Sequence, residues 1–213
     1  EDENLSKQMA IVARMIKGGL GTKVYMVTLN GFDTHANQLN YQRTLLEDLS
    51  DSIKNFYTDL EAGGMSDKVL TMTISEFGRR PYENGSNGTD HGAASPVLLF
   101  GDGLQGSGFV GDHPDLSQWD ASDNLIPTAD FRDVYSSVLT DWFCLDPSVV
   151  STILLNQNYQ NLDLGFNCEV LSTSDFSNTT RLQHTATYRD NTTYVELNMP
   201  TAAQVDIRLY DIM

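Results

Sequence analysis

The sequence predicts an α/β fold: a mainly parallel sheet with helices on both faces, followed by the start of a small all-β module. Three observations carry that expectation. First, two apolar, β-branched runs, Val24-Tyr25-Met26-Val27-Thr28-Leu29 and Val69-Leu70-Thr71-Met72-Thr73-Ile74, flank one long amphipathic stretch. A strand, helix and strand in that order form a crossover unit, which makes the strands parallel. Second, each run empties into a polar motif: Gly31-Phe32-Asp33-Thr34-His35 after the first, Ser75-Glu76-Phe77-Gly78-Arg79 after the second. Motifs at the carboxyl ends of parallel strands share the edge where α/β folds place their ligands. Third, the composition shifts near residue 160. From Phe166 onward Ser, Thr and Asn dominate, and apolar residues alternate with polar ones over Thr193 to Leu197 and Val205 to Tyr210. That alternation marks half-buried strands. The expected division is one α/β domain over residues 1–162, then a linker and partial β-sandwich over 163–213.

Taken in order, Leu5, Met9, Val12 and Ile16 recur at helical spacing, and Gly18-Gly19 stop the helix after Lys17. A strand over Lys23 to Leu29 follows. The long helix runs from about Leu39 to Ala62, with Leu45, Leu49, Ile53, Phe56 and Leu60 on one face, and Gly63-Gly64 supply a left-handed stop. The second strand spans Lys68 to Ser75. Residues 80–94, with Asn84-Gly85 and Asn87-Gly88, read as loop. Pro96 to Phe100 reads as a third, buried strand, and the glycine-rich stretch from Gly101 to Ile126 as a long surface loop with room for a hairpin. Asp130 caps a helix from Phe131 to Phe143, with Phe131, Val134, Val138 and Trp142 facing inward.

Composition excludes several functions. A net charge of −16 over 213 residues leaves nothing to offset phosphate repulsion along a nucleic acid. No apolar run approaches the ~20 residues of a membrane span. The chain begins with Glu1 and reads as a mature or trimmed product. Cys144 and Cys168 form no CxxC pair; they are either buried free thiols or, in a secreted protein, a disulfide.

Five groups are expected to meet at the sheet edge: Asp33, His35, Glu76, and the pair Asp90 and His91 within Gly88-Thr89-Asp90-His91-Gly92. Three carboxylates and two imidazoles in one place call for a cation, so a divalent metal site is the simplest reading. The cofactor expected is zinc, with manganese or calcium as alternatives. Plainer roles stay open: Asp33 as a helix cap, His35 bonded to it, and Glu76 paired with Arg79 or Arg80. Arg79 either steadies an anionic oxygen in catalysis or forms a local salt bridge. His113 and His184 stand alone and read as structural or exposed, and Asn84 and Asn87 as turn residues. No GxSxG elbow and no phosphate-binding GxxxxGK[ST] loop is present. The nucleophile is therefore a metal-activated water, or a Ser or Thr on a preceding part of the protein.

The GFDTH segment, the SEFGR run, Asn84 to Gly92 and the stretch Asp130-Phe131-Arg132-Asp133-Val134-Tyr135 together resemble the bacterial family called domain of unknown function fifteen-oh-one. The likeness covers about residues 5–160. It implies membership of the alkaline phosphatase and sulfatase superfamily, whose members act on phosphate and sulfate esters with one or two metals. By that resemblance Asp33 and His35 match the acid and imidazole of one metal site and His91 a later imidazole. Glu76-Phe77 stands where many members have adjacent Asp and His, so a complete two-metal site is not implied. The superfamily's nucleophile would lie in an N-terminal half preceding this chain. The tail, in Tyr194 to Pro200 and Val205 to Met213, resembles the start of the type IX secretion C-terminal sorting domain. It implies export by that machinery to the surface or medium of a Bacteroidetes-like bacterium, with the module cut in mid-strand at Met213. The function expected is a secreted metal-dependent hydrolase of small-molecule or glycan phosphate or sulfate esters, with little turnover from these residues alone. Its rival is a non-catalytic metal- or glycan-binding surface protein of the same fold.

Overall fold

A computed structural model of the chain describes residues 4–106, 108–166 and 168, and the backbone of two strands at 183–189 and 192–198. The chain divides into two units, Glu1–Leu171 and Ser172–Met213.

The first unit is built on a helical pair. Helix α1, Leu5–Lys17, starts where the Asn4 side chain accepts from the Ser6 N–H and ends at Gly18. Helix α2, Gln38–Ala62, ends at Gly63, and Gly64 then takes the left-handed turn at φ 65°. Leu5, Met9 and Ala13 of α1 bury against Ile53, Phe56 and Leu60 of α2. One polar contact lies in that seam, between the hydroxyls of Ser6 and Ser52 at 2.7 Å. Lys17 bonds Asp59 at its far end.

The strands are shorter than the sequence predicts. The segment 20–34 forms no ladder among the described residues. It is nevertheless laid down with a period of two: Tyr25, Val27 and Leu29 are half-buried, while Val24, Met26 and Thr28 are exposed. Val27 and Leu29 pack against the helical core. The Gln8 carboxamide donates to Thr28 O at 2.9 Å and accepts from Thr28 N at 3.0 Å, which is the pair of bonds a neighbouring strand would make. Strand β1, Thr71–Met72, follows a 3₁₀ turn at Ser66–Lys68. It pairs with β4, Leu99–Phe100, in antiparallel register, Thr71 opposite Phe100. The Tyr57 hydroxyl of α2 ties the two together, donating to Phe100 O at 2.6 Å and meeting Thr71 Oγ1 at 3.0 Å. Between them β2, Gly78–Arg79, and β3, His91–Gly92, form a second antiparallel pair, with β3 inside the stretch 80–94 expected to be loop and β2 just before it. Every strand pair among the described residues is antiparallel. The parallel ladder expected between 23–29 and 68–75 is not among them.

The predicted helix at 131–143 changes character midway. Helix α3, Phe131–Ser137, is capped by Asp130 as expected and gives way to a π-helical turn at Val138–Trp142. Phe131 is exposed, not inward; the buried side chains are Val134, Ser136 and Ser137. The serines face inward because the following chain comes back to bond them: Ser137 Oγ accepts from Leu162 N, and Ser136 Oγ meets Asn161 Oδ1. Helix α4, Pro147–Ile153, was not expected, although Asp146 as cap and Pro147 at the first position announce it. Cys144 and Cys168 are joined as a disulfide. Trp119 and Leu125 form an isolated bridge in the long loop, in keeping with the hairpin allowed there.

In the second unit β5, Gln183–Arg189, and β6, Thr192–Asn198, form an antiparallel hairpin with Gln183 opposite Asn198. The strand expected over Thr193 to Leu197 lies within β6. The strand expected over 205–210 lies outside the described residues.

Candidate metal centre

The site is framed by the β2–β3 pair. Its register sets Arg79 opposite His91 and Gly78 opposite Gly92, and directly opposed residues present their side chains on one face. The close approach needs glycine: a Cβ on Gly78 would stand 1.8 Å from the Ala94 carbonyl oxygen. Phe77 stacks on the His91 ring with centroids 3.8 Å apart and planes 10° apart. The Arg79 guanidinium lies over the same phenyl ring. The second wall is the segment 31–35, turned back on itself by the Thr34 N–H to Phe32 O bond. Thr34 is buried and accepts from Arg79 Nη2 at 3.1 Å.

Asp33 Oδ1 is the focus. His91 Nε2 lies 2.7 Å from it, His35 Nε2 3.0 Å and Arg79 Nη1 3.3 Å. The ligand atoms of Asp33, His35 and His91 all lie within 4.8 Å of one another. The three side chains are about half exposed, at 56%, 48% and 49%, so a solute reaches them from solvent. The hydrogen bond from His91 holds the Asp33 carboxyl below the usual carboxylate range, with the positive charge nearby adding to it. Asp90 is held low in the same way, first by Asn84 and then by His35.

Of the residues expected at the site, Asp33, His35, His91 and Arg79 come together. Asp90 does not join the ligand group. It sits at the other nitrogen of His35, with Oδ1 3.1 Å from Nδ1. His91 opens β3, and neighbouring residues of an extended chain point to opposite sides, so adjacency in sequence does not carry Asp90 to the same point. Glu76 is exposed, and no hydrogen bond or ion pair reaches it among the described residues. His113 bonds the Pro114 carbonyl, as a structural or exposed residue would. His184 lies in β5 of the other unit. Three contributors went unread in the sequence: Asn84, whose carboxamide reaches Asp90; Thr34; and Phe77. Asn84 looks like a turn residue and is one. Its second role has no sequence signature.

The donor set suits a cation. His35 has a carboxylate oxygen at each ring nitrogen, and a neutral imidazole has only one N–H to offer. The Nδ1 contact to Asp90 has hydrogen-bond alignment; the Nε2 contact to Asp33 is close without it. With the proton on Nδ1, the Nε2 lone pair faces an anionic oxygen, and a cation between them turns repulsion into coordination. Two imidazoles and one carboxylate are the protein ligands of open zinc sites, which keep a position for water or substrate.

A family model described as "Protein of unknown function (DUF1501)" matches residues 2–142, a span that holds every residue of this cluster. No curated protein and no solved structure matches.

Proposed function

We propose that this chain, which belongs to the DUF1501 family, holds a divalent cation on Asp33, His35 and His91 and serves the hydrolysis of phosphate or sulfate esters. The observation that carries the reading is the convergence of two imidazole nitrogens on one ionised carboxylate oxygen at a half-exposed surface. Zinc suits that set best. When bound, the cation supplies Lewis acidity toward an ester oxygen and acidifies a bound water. The chain's own residues do the rest. Asp33 gathers the ligands. Phe77 fixes the plane of the His91 ring. Arg79, beside the cluster, is placed to meet an anionic oxygen of the ester with a charge-assisted hydrogen bond. An alkaline phosphatase-like α/β architecture, with the half-buried run 23–29 as one of its strands, belongs to the same proposal. So does export through the type IX machinery, which the disulfide supports, since such bridges persist in oxidising compartments.

A second reading, a metal- or glycan-binding surface protein without turnover, is favoured by two observations. Glu76 is not part of the Asp33, His35 and His91 group, and no hydrogen bond or ion pair reaches it among the described residues. The Thr34 hydroxyl, adjacent to Asp33, is engaged by Arg79 and the Phe32 carbonyl and is not presented as a nucleophile. Aryl phosphate and aryl sulfate hydrolysis at pH 8 by the natural full-length chain separates the two. The hydrolase reading expects zinc-dependent turnover that Asp33→Ala and His91→Ala both remove. Zinc bound with no turnover of either ester leaves the binding reading in place.

A further inference from the structure

We propose that Asn84 and Asp90 act as a clamp that fixes the tautomer of His35, with the proton on Nδ1 and the Nε2 lone pair turned toward Asp33 and His91. On this assignment Asp90 is a positioning residue behind the ligand, not a ligand itself. The inference rests on the cation-binding reading above, and it assigns the residues that set the affinity of that site.

The clamp is built around one carboxamide. Asn84 Oδ1 accepts from the backbone N–H groups of Ser86, at 2.9 Å, and Gly88, at 3.1 Å, while Asn84 N donates to Gly88 O at 2.8 Å. These three bonds close residues 84–88 into a tight loop and use up the amide oxygen. They leave the amide nitrogen facing the site. Nδ2 donates to two acceptors there: the His35 carbonyl at 3.0 Å and Asp90 Oδ1 at 3.2 Å. One side chain therefore holds both the backbone of His35 and the carboxylate that meets its ring. The loop is pressed onto the same segment elsewhere. A Cβ on Gly88 would lie 2.3 Å from the His35 carbonyl carbon, and Thr89 N donates to Thr34 O.

The competition for the His35 proton has a clear direction. Asp33 Oδ1 already accepts from Arg79 Nη1 and has His91 Nε2 at 2.7 Å. Asp90 Oδ1 has Asn84 alone among side-chain partners besides His35, and it is the contact with hydrogen-bond alignment. The proton belongs on Nδ1. Metal-bound histidines commonly donate their other N–H to a carboxylate in this way, which fixes ring orientation and tautomer.

The test uses the natural chain at pH 8 with two readouts. Long-range ¹H–¹⁵N spectra of the imidazoles report the His35 tautomer without metal, and calorimetric titration with zinc reports affinity. The wild type is expected to show His35 as the Nδ1–H tautomer. Asp90→Ala and Asn84→Ala are expected to lose it and to weaken zinc by about 10–100-fold at unchanged stoichiometry. Asp90→Asn, whose amide oxygen still accepts, should keep the tautomer and lose less affinity. Asn84→Asp retains the acceptor that closes the loop and removes the donor, so it should fold as wild type and still lose the tautomer. A wild-type His35 in the Nε2–H form overturns the proposal, whatever the metal does. So does an unchanged tautomer or an unchanged zinc affinity in both alanine variants. A wild type that shows the expected tautomer but takes up no zinc sinks the cation reading and leaves the clamp standing.

Discussion

Gly88 leaves no room for a side chain, because its α-carbon lies against the backbone of His35. Gly88→Ala should therefore destabilise the fold by about 1–3 kcal/mol, the usual cost of forcing atoms into a packed site. Urea unfolding measures it, and the displaced loop should also disturb the His35 resonances. Arg79 gives a prediction of opposite sign for two ligands. It brings a positive charge to Asp33 Oδ1, so Arg79→Ala should leave zinc affinity undiminished. The same variant should weaken inorganic phosphate as a competitive inhibitor by about tenfold or more, the scale of one hydrogen bond to a charged group. A fall in zinc affinity with phosphate unaffected would assign Arg79 to scaffolding. At this scale the sequence was informative about residue type. Asp33 and His35 stand two apart after an apolar run, and Asp90 and His91 are polar neighbours inside a glycine-containing stretch. It was uninformative about direction. Asp90 and His91 are neighbours that serve different sides of the His35 ring, and nothing in a loop's periodicity separates them.

Among the elements, α1 and α2 were legible nearly to the residue, since an apolar stripe at helical spacing runs into Gly18-Gly19 in one case and Gly63-Gly64 in the other. Their seam is the core of the first unit, and Leu60 is fully buried within it. Leu60→Ala should cost about 2–5 kcal/mol through lost transfer energy and the cavity left behind. Asn4→Ala, which removes the cap of α1, should cost about 1 kcal/mol; both are read by denaturant midpoints. Helix α3 carries a pH signature. The Asp130 carboxyl is held below its ordinary value by the hydrogen bond from Arg132. Between that lowered value and the unfolded value of about 3.9, the unfolded chain holds a proton that the folded chain does not. Stability from this contact is thus present above about pH 4 and is lost as the pH falls through the folded value. Asp130→Asn should flatten that part of the acid unfolding curve. The strands were legible in place but not in length or pairing: β1, β4 and β6 fall at the strands expected over 68–75, 96–100 and 193–197, while 23–29 forms no ladder among the described residues. The run 23–29 has the right alternation, but its hydrogen bonds at Thr28 go to a glutamine side chain and not to a ladder. The β2–β3 pair was hidden because Gly78 and Gly92, which permit it, are the residues that mark loops in a sequence.

At the scale of the whole molecule, composition speaks to charge more directly than to fold. The net charge of −16 makes a cation a natural ligand and nucleic acid an unnatural one. The two cysteines allowed a thiol pair or a bridge, and the structure joins them across 24 residues, holding the end of the first unit to the chain just after the π-helical turn. A Cys144→Ala, Cys168→Ala variant should lose about 2–4 kcal/mol, and wild type and variant should melt alike once reductant is present. The claim on which the rest depends is that Asp33, His35 and His91 form a cation site. Calorimetric titration of the chelator-treated protein with zinc at pH 8, in the wild type and in Asp33→Ala, tests it most directly. The account expects one strong site per chain in the wild type and none in the variant. It also expects a matching rise in wild-type melting temperature, worth about 2.7 kcal/mol at a hundredfold excess over the dissociation constant. Equal zinc binding by the wild type and Asp33→Ala, or none by either, would contradict it and leave the three residues as a hydrogen-bonded polar cluster.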